Sequence, residues 1–237
     1  RVTHFSCMPS SMRDVMGSSF NSPLAQIPEQ LALTDPRQRA WLEISPKAIE
    51  GNAKTLKRGL EEGCSLMAVV KADGYGHGAE TVARAALKGG ASDLGVATLS
   101  EGIQLRQAGF DNPILVLGNL INGEELMACL HWNLMPTLSS MREILICQNL
   151  AEGKGRSFKL QVKIDTGMTR LGCDLKDAIG IIERISQSSD LELKGVYSHL
   201  ALADGDNQGC SSSVTSLQQS RFEEVLSGIN SDARGFS

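Results

Sequence analysis

The sequence predicts an α/β fold: a (β/α)8 TIM-type barrel, incomplete, with about six βα units present. Three observations carry this. Runs rich in Val, Ile and Leu recur at Leu66–Val70, Leu94–Ala97, Ile114–Leu117, Leu134–Thr137, Phe158–Ile164 and Leu193–Tyr197, and each is followed by a segment of helical length. The runs are close to continuously apolar, as strands covered on both faces must be. The 237 residues, 41% hydrophobic and 21% charged, suffice to bury one sizeable core. Six units fall short of closure, so either the sheet is an open doubly wound one or the chain stops before the barrel closes. The ragged tail from Ser231 to Ser237 favours the second.

Taken in order, residues 1–38 read as a flexible leader. Ser6, Ser10, Ser11, Ser18, Ser19 and Ser22 are interleaved with Pro9, Pro23, Pro28 and Pro36, and no periodicity is sustained. A serine-rich, acid-poor start fits a transit-peptide remnant, and ordinary disorder explains it equally. The expected location is the cytoplasm, or an organelle if the leader is a transit peptide. Residues 39–237 form the barrel domain. Between its strands, Val82, Ala85 and Ala86, then Leu105 and Ala108, then Ile179, Ile182 and Ile185 fall at helical spacing. Lys88-Gly89-Gly90 and Ala108-Gly109 supply helix stop signals.

Composition excludes several classes. The net charge is −4, with no block of like charges to attract a nucleic acid. No apolar stretch is long enough to span a bilayer. The six cysteines, at 7, 64, 129, 147, 173 and 210, show no C-x-x-C pair, and the four histidines are dispersed. They are read as reduced thiols, and no metal site is expected.

The chemistry is read at Lys71, which ends the apolar run Met67-Ala68-Val69-Val70 and opens Lys71-Ala72-Asp73-Gly74-Tyr75-Gly76-His77-Gly78. An amine at the point where a buried strand breaks into a glycine-rich loop suits Schiff-base chemistry with an aldehyde. A barrel would gather Lys71, Arg170 and His199 on one rim, at the ends of their strands. Each also has a plainer reading. Glycines at a strand-to-helix turn serve geometry, an arginine after Thr166-Gly167-Met168-Thr169 is commonly a surface residue, and a lone histidine at a strand end is commonly a bonded core residue. His77 is read as packing in its turn and His131 as preceding Trp132 at a helix end.

Three strings carry a resemblance: Val69 to Gly78, Lys163-Ile164-Asp165-Thr166-Gly167-Met168-Thr169-Arg170-Leu171-Gly172, and Tyr197-Ser198-His199-Leu200-Ala201-Leu202-Ala203-Asp204. In order and spacing they resemble the successive signatures of the alanine racemases, from about Arg39 to about Gly228. Ala40 to Ser45 is similar to that family's opening strand. The resemblance implies a barrel that binds pyridoxal 5′-phosphate (PLP) and interconverts L- and D-alanine in a homodimer, completed by a downstream, mostly β domain. Lys71 would hold the cofactor as a Schiff base and act as base on one face of the α-carbon. Tyr75 would bond the phosphate. Arg170 would reach the cofactor's phenolic oxygen and the substrate carboxylate, with Lys163 supporting it at a position that some members carbamylate. His199 would line the pyridine ring. Asp73 and Gly74 stand where many relatives carry Asn and Ala.

The family's arginine after the seventh strand, its further phosphate donors and its opposite-face tyrosine have no counterpart in this sequence. The C-terminal β domain is therefore expected to be absent, and whether the chain turns over without that tyrosine is left open by the sequence. Alanine and serine are not distinguished as substrates. Two other readings stay open: a non-catalytic PLP-binding homeostasis barrel, and a truncated pseudoenzyme.

Overall fold

The computed structural model of the protein describes residues 42–120, 122–202 and 213–229. The leader read over 1–38 and the tail from Ser231 lie outside them. Six strands form at the six apolar runs: β1 (Met67–Val69), β2 (Asp93–Val96), β3 (Ile114–Val116), β4 (Met135–Leu138), β5 (Phe158–Lys163) and β6 (Leu191–Tyr197). All neighbours pair in parallel, in the order β1-β2-β3-β4-β5-β6. A doubly wound sheet reverses its strand order partway. This one does not, so the chain winds in one direction, as a barrel wall does.

Helices α1 (Pro46–Arg58), α2 (Ala79–Lys88), α3 (Leu99–Gln107), α4 (Gly123–His131), α5 (Met141–Ala151), α6 (Leu175–Ser186) and α7 (Val214–Gly228) alternate with the strands. Their starts are specified locally. Ser45 caps α1 ahead of Pro46, and α3, α4 and α5 each open on a capping box, Thr98 with Glu101, Asn122 with Glu125 and Ser140 with Glu143. Residues 42–45, the described part of the expected opening strand, form no strand. Leu42 is 75% exposed and Ser45 is spent on the helix cap. An extended segment becomes a strand only beside a partner edge, and 42–45 pairs with none among the described residues.

The core lies between sheet and helices. Leu94, Val96, Ile114, Val116, Leu138, Phe158, Leu160, Val162 and Ile164 from the strands meet Ala83, Leu105, Leu126, Ile144, Ile182 and Ile185 from the helices, all fully or nearly fully buried. A second, smaller layer fills the concave side: Met67, Leu115, Met135 and Tyr197, with Leu117 packed against them. Cys64, Cys129, Cys147 and Cys173 are buried free thiols. Burial pushes Cys129 and Cys147 up to about 12, so they pack as small apolar groups rather than as nucleophiles. No described helix is long and apolar enough to cross a membrane, and no metal-binding cluster occurs among the described residues.

One irregularity decides where β6 points its side chains. Between Leu160 and Gln161 the register shifts: Leu160 pairs with Leu193, but Gln161 pairs with Gly195. Lys194 is the surplus residue of a β-bulge. Before it, Leu191 and Leu193 face the helices; after it, Val196 does, and Tyr197 turns to the concave side. In an unbulged strand, Leu191, Leu193 and Tyr197 would share one face.

Candidate active site

Lys71 follows β1 directly and begins a turn with unusual backbone geometry. Ala72, Asp73, Gly74 and Tyr75 all have φ between 51° and 61° and ψ between 37° and 50°, one turn of left-handed helix. For L-residues this conformation costs roughly 1–2 kcal/mol per residue, so the surroundings must impose it. Several groups do. Gly74 N–H donates to Val70 O (2.9 Å) and Gly78 N–H to Asp73 O (2.9 Å). Asp73 Oδ1 accepts from Ala79 N–H (2.8 Å), at the start of α2. His77 Nδ1 lies 3.0 Å from both Gly74 O and Tyr75 O, so it carries a proton and donates it to them. Ala72 N–H donates to Glu101 Oε1 (2.8 Å). Gly74 is required at its place, because a Cβ there would sit 2.8 Å from Val82 Cγ2. The turn brings Tyr75 beside Lys71, with Nζ 5.9 Å from the ring centroid.

The end of β5 places Lys163, which is buried, with its Nζ 5.6 Å from the ring centroid of Tyr197. The Tyr197 hydroxyl shares a 2.8 Å hydrogen bond with Thr137, and burial raises its pKa. Beyond Lys163 the chain loops out and returns. Cys173 N–H donates to Lys163 O (2.9 Å) and Asp165 N–H to Cys173 O (3.0 Å), closing a loop that carries Arg170. Asp165 Oδ1 accepts from Gly167 N–H (2.9 Å) and Thr169 N–H (3.0 Å), which fixes the loop's interior.

Helix α7 ties this loop to the end of β6. Gln218, 1% exposed, donates through Nε2 to Thr166 Oγ1 (3.1 Å) and to His199 O (2.9 Å), while its Oε1 accepts from Ala201 N–H (2.8 Å). Arg221 donates to Thr166 O (2.9 Å), and Thr166 and Ser198 share a 2.7 Å hydroxyl contact. A buried amide with every polar atom bonded holds one geometry, since any other leaves a desolvated donor or acceptor.

Charges from the ends of β1 and β5 act on Lys163 and His199. Burial first, then the charges of Arg170 and Lys71, hold the Lys163 amine below its ordinary value, against the opposing pull of Asp165. Burial first, then Lys163, Arg170 and Lys71, likewise depress the His199 imidazole. Because the folded protein binds the His199 proton more weakly than the unfolded chain, stability from the neutral ring is complete above about pH 6.5. It is lost as pH falls from there through the folded-state value. The thermal midpoint should fall between about pH 7 and about pH 5, and His199→Gln should weaken that dependence. An unchanged pH profile in the variant would contradict this assignment.

All five residues read as site residues from the sequence, Lys71, Tyr75, Lys163, Arg170 and His199, are thus on one rim, at the C-terminal ends of β1, β5 and β6. A surface cavity of about 420 Å³, lined by residues including Met127, His131, Trp132, Lys154 and Arg156, lies at the opposite, N-terminal end of the strands. The family model described as "Alanine racemase, N-terminal domain" matches residues 44–235. The chain belongs to the alanine racemase family.

Among curated relatives, the alanine racemase of Prochlorococcus marinus is 58% identical over 195 residues, covering 82% of this chain and 50% of that protein. The alanine racemase of Nostoc is 44% identical over 194 residues, with 81% and 49% covered. The solved alanine racemase from E. faecalis matches with a TM-score of 0.73 at 31% identity, covering 79% of this chain and 50% of that one. A histidine racemase from Leuconostoc mesenteroides also gives 0.73, at 26% identity, with 82% and 51% covered. The chain spans about half the length of the curated relatives it matches. Alanine racemases are PLP-dependent isomerases, and the partial barrel found here is the corresponding part of their fold. Glu101 and Gln218, which hold the turn and loops of this rim, were not among the residues singled out from sequence.

Proposed function

We propose that the protein is the cofactor-binding half of a PLP-dependent racemase acting on alanine, working as a homodimer in which further groups complete the site. One observation carries this reading: on one rim the charges of Lys71 and Arg170 act on Lys163 and His199 and hold both below their ordinary values, while Asp165, the carboxylate that acts on Lys163, turns Oδ1 to backbone N–H groups. PLP bears a phosphate, a phenolic oxygen and an aldehyde. A cluster of cations with one accessible primary amine fits that set.

Lys71 would bind the aldehyde carbon, Tyr75 would donate its hydroxyl to the phosphate, Arg170 would bind the substrate carboxylate, and His199 would line the ring. When bound, PLP supplies an electron sink for the carbanion left at the α-carbon. Once the substrate's amino group has displaced it from the aldehyde carbon, Lys71, half-buried at its strand end, would take the α-proton at Nζ on one face and could return it there. Inversion needs a second acid on the other face. Lys163 is buried, and the positive charge of Arg170 acts on it. Its lowered proton affinity leaves more free amine to add carbon dioxide, forming a carbamate and releasing one proton, which would convert repulsion of Arg170 into attraction.

The test is to incubate the protein with PLP, reduce with borohydride, and map the labelled peptide. The label is expected on Lys71. Deuterium exchange at the α-carbon of alanine, followed by NMR in heavy water, should then exceed that of serine and histidine. A label elsewhere, or none, overturns the reading.

A further inference from the structure

Helices α3 and α5 begin alike. In each, the glutamate at the third helical position turns its carboxylate back over the cap: Glu101 Oε2 accepts from Thr98 N–H (3.0 Å) and Ala97 N–H (2.7 Å), and Glu143 Oε2 accepts from Ser140 N–H (3.0 Å) and Ser139 N–H (2.6 Å). A capping box needs only one carboxylate oxygen. Glu101 uses its second one elsewhere. Oε1 accepts the 2.8 Å hydrogen bond from Ala72 N–H, twenty-nine residues earlier and in the neighbouring βα unit.

Ala72 is the first residue of the left-handed turn and the chain neighbour of Lys71. We propose that Glu101 is a positioning residue for Lys71: its carboxylate joins the cap of α3 to the start of the left-handed turn, and so fixes the backbone from which the Lys71 side chain departs. The turn cannot hold itself, since its angles are unfavourable for Ala72, Asp73 and Tyr75. At its far end it is held by Asp73 and His77. At its near end, beside the amine, the side-chain anchor is Glu101. A bond from an ionised carboxylate to a backbone N–H is also stronger than one between neutral groups. The consequence for cofactor attachment rests on the function proposed above; the clamp on the turn does not.

Glu101→Gln separates the two roles. The amide keeps one acceptor oxygen, which gains more from the Thr98 and Ala97 N–H pair than from the single Ala72 N–H. Its NH2 group then faces the Ala72 N–H, donor against donor, while the helix cap survives. Glu143→Gln is the control for disturbing a capping box alone.

In cofactor-free protein, hydrogen exchange over residues 70–78 should be at least about tenfold faster in Glu101→Gln than in wild type, the order expected for one charge-assisted hydrogen bond, and unchanged in Glu143→Gln. Borohydride-trapped PLP at Lys71 should form about tenfold more slowly in Glu101→Gln and at the wild-type rate in Glu143→Gln. Wild-type exchange in Glu101→Gln, or equal acceleration in both variants, overturns the clamp. Faster exchange with undiminished labelling overturns the positioning of Lys71. If wild type takes no label at Lys71 while the exchange difference holds, the clamp stands and the PLP reading falls.

Discussion

Gly172→Ala is expected to destabilise the protein by about 3–5 kcal/mol and to release Arg170 from its cluster. Gly172 has φ +128°, outside the range open to other L-residues, and its missing Cβ would lie 2.6 Å from Asp165 N, 2.8 Å from Ile164 C and 3.1 Å from Asp165 Cα. All three are backbone atoms, so no rotamer change relieves the clash. The obstructed segment is where Ile164 and Cys173 pair to close the loop bearing Arg170. Backbone strain of about 1–3 kcal/mol and overpacking of similar size set the magnitude. Urea unfolding would read the loss as a lower midpoint at an unchanged slope. A midpoint near wild type would mean that the loop opens freely, and that it does not hold Arg170.

Lys71→Ala is expected to abolish borohydride-trapped labelling and to reduce alanine α-proton exchange by about 10³-fold or more, the combined order for losing a covalent anchor and a general base. Stability should change by no more than about 0.5 kcal/mol, because Lys71 is partly exposed and makes no hydrogen bond that the core needs. Lys71→Arg sharpens the test. It keeps the positive charge of the rim but cannot give up its proton, so it should be as inactive as alanine. Recovery of exchange in the arginine variant would show that charge, not a free amine, is what position 71 contributes.

Much of the fold was legible because parallel strands covered on both faces leave apolar runs, and each of the six runs became a strand. That Lys71, Arg170 and His199 would gather at strand ends on one rim followed from the barrel, whereas Tyr75 and Lys163 entered only by resemblance. What stayed hidden depends on contacts between distant residues. Thr98-x-x-Glu101 is a readable capping box, yet nothing in its spacing says that the second oxygen reaches Ala72. Gln218 sits in a helix with no local signal for its three bonds to the β5 and β6 loops. The left-handed turn carries glycines that permit it, but Ala72, Asp73 and Tyr75 adopt it only because their neighbours compel them. Residues 42–45 resemble a strand in composition, but pairing depends on what lies alongside.

The surplus residue at Lys194 makes the length of β6 matter more than its spelling. Substitutions between Leu193 and Tyr197 can be absorbed one side chain at a time, whereas losing or gaining a single codon there would hand Tyr197 to the helical layer and swing the histidine beyond it off the rim. Descendants of this gene should thus vary letters in that stretch while keeping their number.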